Sequence, residues 1–145
     1  MKWVTRKDVR AGRIACAWLI RRFLDPEVEF LFVEEKDVLS AAASEEAVPF
    51  DLPHHPELKF NPHEGLCTFE VLISEFDLEE PALKRLGKIV HAADLRSAGR
   101  GTPEAAGLKA IVEGFHLVGA SDERRLAWGY PIYDALYAWC ERHSK

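Results

Sequence analysis

The chain has 145 residues, 48% of them hydrophobic, enough to bury the core of one domain without metal or disulfide staples. Acidic residues outnumber basic ones 24 to 19 for a net charge of -5, which argues against direct nucleic-acid binding, since that needs a basic face. The three cysteines are odd in number and form no CxxC pair, so a disulfide framework and a zinc ribbon are excluded and reduced thiols in the cytoplasm are expected.

The opening "KWVT" reads as a short strand, and "GRIACAWLIRRFLD" follows as a helix whose apolar stripe is Ala15, Cys16, Leu19, Ile20 and Phe23. Its apolar run "IACAWLI" is the longest in the chain and far too short for a bilayer; with no signal-peptide pattern ahead of it, no membrane partner is expected. Asp25-Pro26 ends the helix. "VEFLFVE" reads as a half-buried or central strand and "DVLSAAASEE" as a short helix. The segment 48–65 holds four prolines and is expected to be irregular, with short strands at "VPF" and "LKF". Four helices then follow, expected over 64–76, 80–95, 103–118 and 122–142. "SAGRGT" separates the second and third, and Ser121 or Asp122 caps the last. The class is α+β: one helix-rich domain over 1–145, with a small sheet formed mainly by the N-terminal half.

Two groups of residues carry candidate chemistry. If a helix begins near Glu64, then His63, Cys67 and Glu70 line up along one face, and His91 and Asp94 lie one turn apart on the next helix. The short connector "DLEEP" makes the two helices antiparallel neighbours, and thiolate, imidazole and carboxylate together suit a divalent zinc, iron or manganese ion. The same pattern also fits a packed cysteine beside solvated carboxylates. The second group is the basic start of the first long helix, where Arg13 and Arg21 stand eight apart. A guanidinium beside unpaired helix N–H groups favours a tetrahedral oxyanion. Arg21 and Arg22 also suit a solvated face paired with Asp25 or Glu29. "YPIYDALYAWC" reads as core or dimer interface, with Asp134 a partner for a nearby Arg or Tyr hydroxyl. No GxSxG turn, phosphate loop or HExxH is present, so nucleophilic hydrolysis finds no support.

Taken in order, "RIACAWLIRRFLDPEVEFLFV", "VPFD", "HEGLCTFEVL", "IVHAADL" and "YDALYAWC" resemble the C-terminal domain of the chromate-resistance protein family ChrB. The matching positions include Arg13, Cys16, Trp18, Arg21, Asp51, His63, Cys67, Asp94 and Tyr133; Gly12 and Ala17 depart from the family's acid and proline. The resemblance implies a chromate-resistance-associated sensor or regulatory domain without a DNA-binding module, taking a metal ion or chromate-like oxyanion. A homodimer or a separate regulatory partner is expected. The alternative is a metal- or thiol-dependent redox enzyme acting on chromate or on reactive oxygen species.

Overall fold

The computed structural model describes residues 1–94 and 102–144. The expected connector at 97–102 falls, apart from Thr102, outside the described residues. Strand β1 (Lys2–Arg6), helix α1 (Ala11–Leu19), strand β2 (Glu29–Val33), helix α2 (Val38–Glu45) and strand β3 (Ala47–Pro49) make up the N-terminal half. Both crossovers between strands pass through a helix, so the strands are parallel, in the order β2-β1-β3. Lys2 pairs with Glu29 on one side and with Ala47 on the other, which makes β1 central and leaves β2 as a half-buried edge strand. Alternation along β1 turns Val4 toward Val38 of α2, with Ala47 and Leu52, and turns Trp3 into the larger core on the opposite face.

That larger core is helical. Helix α1 is buried on nearly every side, as befits a helix enclosed by others, and it continues through a π turn, Ile20–Leu24, before Asp25. Around it pack α3 (Thr68–Glu75), α4 (Pro81–Ala93), α5 (Pro103–Leu117) and α6 (Asp122–Arg142). Ser121 caps α6, its hydroxyl accepting from the Arg124 N–H at 3.2 Å. Helix α6 crosses α1 very closely: a Cβ at Gly129 would lie 2.4 Å from Ile14 Cγ2. One turn further on, the buried Tyr133 hydroxyl donates to the Ala11 carbonyl at 2.8 Å. Asp134 accepts from Trp18 Nε1 at 2.8 Å and from Arg22 at 3.1 Å, an arginine partner of the kind the sequence suggests.

Two expectations fail in the proline-rich segment and just after it. The helix expected over 64–76 begins only at Thr68. Glu64 (φ 49°) and Gly65 (φ 80°) both occupy the left-handed region, and His63 and Leu66 exchange their backbone hydrogen bonds across them at 3.2 and 2.8 Å. A tight turn of this kind cannot be the first turn of a right-handed helix. The strand expected at 58–60 is also absent: buried Asn61 takes over the bonding that a ladder would have supplied. Its side chain accepts from the Leu52 N–H at 2.6 Å and donates to the Leu52 and His55 carbonyls at 2.9 and 2.8 Å.

Candidate functional site

Helix α3 begins at a capping box built on cysteine. Cys67 occupies the N-cap with its sulfur facing the Glu70 N–H, and Glu70 Oε1 accepts the Cys67 N–H at 3.1 Å. Helix α4 approaches this turn closely, because a Cβ at Gly87 would come within 3.2 Å of Glu70 Cγ. One turn beyond Gly87, His91 places Nδ1 2.7 Å from Glu70 Oε1. The result is that a sulfur of Cys67, a carboxylate oxygen of Glu70 and a ring nitrogen of His91 all lie within 4.8 Å of one another. Burial pushes the Cys67 thiol up to about 12, and the Glu70 charge beside it adds to the effect. His91 is 43% exposed, so the cluster is reachable from solvent.

Cys67 and His91 line a cleft of about 480 Å³, while Glu70 borders a separate depression with Leu66 and Ile73. Asp51 organises another part of the lining: its Oδ1 accepts from the Thr68 hydroxyl at 2.7 Å and its Oδ2 accepts from Arg6 at 3.1 Å. Arg10 also faces the cleft. Neither Arg6 nor the linking role of Asp51 was recognisable from local pattern, since these two residues stand 45 positions apart and meet only through the sheet.

Of the five residues anticipated around a metal, Cys67, Glu70 and His91 converge. His63 and Asp94 line the same cleft but are outside the converging group. The reason for His63 is the turn at Glu64-Gly65: it takes the imidazole off the helical face and toward the Leu58 carbonyl, 2.8 Å from Nε2. Asp94 is the residue at which α4 ends, in extended backbone.

The two arginines anticipated for an oxyanion do not share a site. Arg13 is 92% buried by its 8% exposure and acts as a strut, donating to the carbonyls of Arg6, Lys7 and Asp8 with Asp51 3.6 Å away. Burial, reinforced by Arg6, lowers it to about 10, which leaves it cationic at neutral pH. Arg21 lies in a separate surface depression, its guanidinium 4.6 Å from the centre of the Tyr130 ring. Eight residues of helix already separate the two by about 12 Å along the axis, and the Arg13 guanidinium is turned into the connection between β1 and α1.

The family model described as "ChrB, C-terminal domain" matches residues 3–140. The chain belongs to the ChrB C-terminal domain family. A curated relative, Protein ChrB of Cupriavidus metallidurans, is 34% identical over 139 residues, covering 94% of this chain and 40% of the relative. This ChrB domain therefore spans two-fifths of that relative's length. No solved structure matches it. Four of the five segments that carry the ChrB resemblance meet at the cleft: "RIACAW" supplies Arg13, "VPFD" supplies Asp51, "HEGLCTFEVL" supplies the turn and cap, and "IVHAADL" supplies His91. Among the described residues of the ChrB domain, no helix is long and apolar enough to cross a membrane.

Proposed function

We propose that this domain is a chromate-resistance-associated sensor that takes a divalent transition metal at Cys67, Glu70 and His91. The observation that carries the reading is the convergence of a thiol, a carboxylate and an imidazole within 4.8 Å, the thiol and the imidazole lining an open cleft. Three protein ligands leave a tetrahedral ion one position to fill from the cleft side. A sulfur and nitrogen donor pair favours zinc or iron(II) over manganese. Arg6 and Arg10, which line the same cleft as Cys67 and His91, suit a tetrahedral oxyanion that completes the coordination, by charge and by hydrogen bonding.

A sensing role also agrees with the way the ligands are built into the fold. Metal binding requires the Cys67 thiolate and competes for the Glu70 oxygen that now caps α3 and meets His91. Occupancy would thus be felt at the start of one helix and the end of the next. Redox chemistry by the free thiol is less well supported, because a thiol held near 12 is almost wholly protonated at neutral pH and a poor nucleophile.

The test is to strip the protein with chelator, reload it with zinc, iron(II) or the spectroscopic probe cobalt(II), and measure metal per chain. One retained ion, with a sulfur-to-cobalt charge-transfer band that disappears in Cys67→Ala and a stoichiometry that falls in His91→Ala, is the expected result. Failure to retain any of the three ions, or equal retention in both variants, would overturn it.

A further inference from the structure

Helix α5 presents to solvent a face on which no charged side chain stands. At about 100° per residue, Pro103, Ala106, Gly107, Ala110, Ile111 and Gly114 fall with Leu117 and Val118 on one arc of roughly 140°. All of them are exposed or half-exposed, Leu117 to 75%, Val118 to 70% and Ile111 to 47%. The middle of the face is flat: a Cβ at Gly107 or Gly114 would meet nothing within 4 Å. On one side the apolar surface continues onto α6, where Phe115 packs against the part-exposed Trp128 at 5.3 Å between ring centres. Solvent-facing helices normally carry charge there, and a continuous apolar face is a surface built to be covered.

We infer that a second copy of this chain covers it, with the two α5 helices packed antiparallel about a two-fold axis between Ala110 and Ile111. The arrangement of residues along α5 is self-complementary in that register. Gly107 falls opposite Gly114 of the second copy, so the backbones approach closely at the centre. The large residues Leu117 and Val118 at one end fall over the low end of the second copy, at Pro103 and Glu104, and the same contact is repeated by symmetry. The charges on one flank agree as well. Glu113 borders the apolar arc and Lys109 stands one turn before it on the same side, where both line a depression with Ala93 at the end of α4; an antiparallel two-fold places like flanks against one another. Each Lys109 then lies within one residue of Glu113 of the second copy, giving two opposite-charge pairs across the interface. A parallel two-fold packing would instead set this flank against the opposite flank of the second copy and would form no such pairs. This interface involves none of the cleft residues Cys67, Glu70 and His91, so it stands or falls independently of the metal reading.

Sedimentation equilibrium of the full chain tests the inference. Wild type is expected to be a dimer at concentrations well above micromolar, and Ile111→Glu a folded monomer by the same measurement and by circular dichroism. Leu117→Lys, at a position still more exposed, serves as the second variant should Ile111→Glu lose its fold. The register is tested by charge reversal. Lys109→Glu and Glu113→Lys should each be monomeric or weakly dimeric alone, yet form a heterodimer when mixed. Mixing leaves the like charges within each helix in place and restores only the pairs between copies. A monomeric wild type would mean that another segment or partner covers the face, and would overturn the proposal. So would a dimer untouched by Ile111→Glu and Leu117→Lys, or reversed variants that fail to associate on mixing.

Discussion

His91 Nδ1 stands 2.7 Å from Glu70 Oε1, and this contact joins the last turn of α4 to the first turn of α3. With the Cys67 sulfur inside the same 4.8 Å group, the two helix ends form a unit that a metal ion would tie together. A ligand that binds only the folded state stabilises it by mass action. Zinc at a hundredfold excess over its dissociation constant should therefore raise the stability of chelator-treated protein by about 2.7 kcal/mol, read as a shift in melting temperature. Cys67→Ala and His91→Ala should each abolish the shift, and the double variant should lose little more than either. His63→Ala should keep it, since the imidazole of His63 faces Leu58. A full shift in His91→Ala would remove this site from consideration.

The Cys67 thiol gives the metal-free protein a specific pH dependence. Its ordinary value of 9.0 applies to the unfolded chain, whereas burial raises it to about 12 in the fold. Between these values the unfolded state holds fewer protons than the native state, so this contribution to stability is complete below pH 9 and is lost as pH rises toward 12. Denaturant titrations across that window should show wild type losing stability more steeply than Cys67→Ala, which lacks the group while sharing every other titrating residue. Parallel curves would mean that the thiol is not buried as described. Metal affinity should move the opposite way, strengthening by about tenfold per pH unit through the neutral range as one proton is displaced from sulfur.

Glu70 has a structural duty that can be separated from any ligand role. Removing its carboxylate with Glu70→Ala leaves the Cys67 N–H without its cap and should cost about 1 kcal/mol in metal-free protein. Glu70→Gln keeps an oxygen acceptor for that N–H, so most of the stability should remain while the charge available to a metal or to His91 is lost. Urea unfolding combined with metal titration of the two variants distinguishes the roles. Equal losses of stability in both would argue that the charge, and not the cap, is what matters at this turn.

The crossing of α6 over α1 depends on a missing side chain. Gly129→Ala would bring a methyl group to 2.4 Å from the Ile14 Cγ2, a β-branched side chain with no exposed surface into which to move. The overpacking should cost about 1–3 kcal/mol despite the better helix propensity of alanine. Combined with Ile14→Ala, itself a costly truncation, it should destabilise by less than the sum of the two single changes, since the added methyl then occupies part of the vacated space. A Gly129→Ala variant as stable as wild type would show that the helices can separate there at no cost.

The sequence was sufficient wherever a segment's fate depends on its own residues. The apolar periods of α1, α4, α5 and α6 marked those helices to within a few residues, Ser121 marked a cap, and the alternation of strands with helices in the first half agrees with a small parallel sheet. The order of the motifs was likewise enough to indicate the family, because it samples residues along nearly the whole chain. The start of α3 was misjudged for a local reason that can be read in retrospect. Glu64-Gly65 is turn chemistry, and a glycine at that point favours the left-handed backbone that delays the helix to Thr68.

What the tertiary structure alone decided is which distant residues meet. Arg6 reaches Asp51 because β1 lies beside β3, and His91 reaches Glu70 because Gly87 lets α4 settle against α3. Spacing along one helix had grouped His63 with Cys67 and Arg13 with Arg21. A left-handed turn undid the first grouping, and the bonding of Arg13 to the carbonyls that precede α1 undid the second. Periodicity fixes direction only within an unbroken helix, whereas the positions of ligands in space depend on where helices start, how they wind and how closely they pack. Those are settled by contacts between elements far apart in the chain, which is why the residues could name Cys67, Glu70 and His91 among five candidates while only the packing separated them from His63 and Asp94.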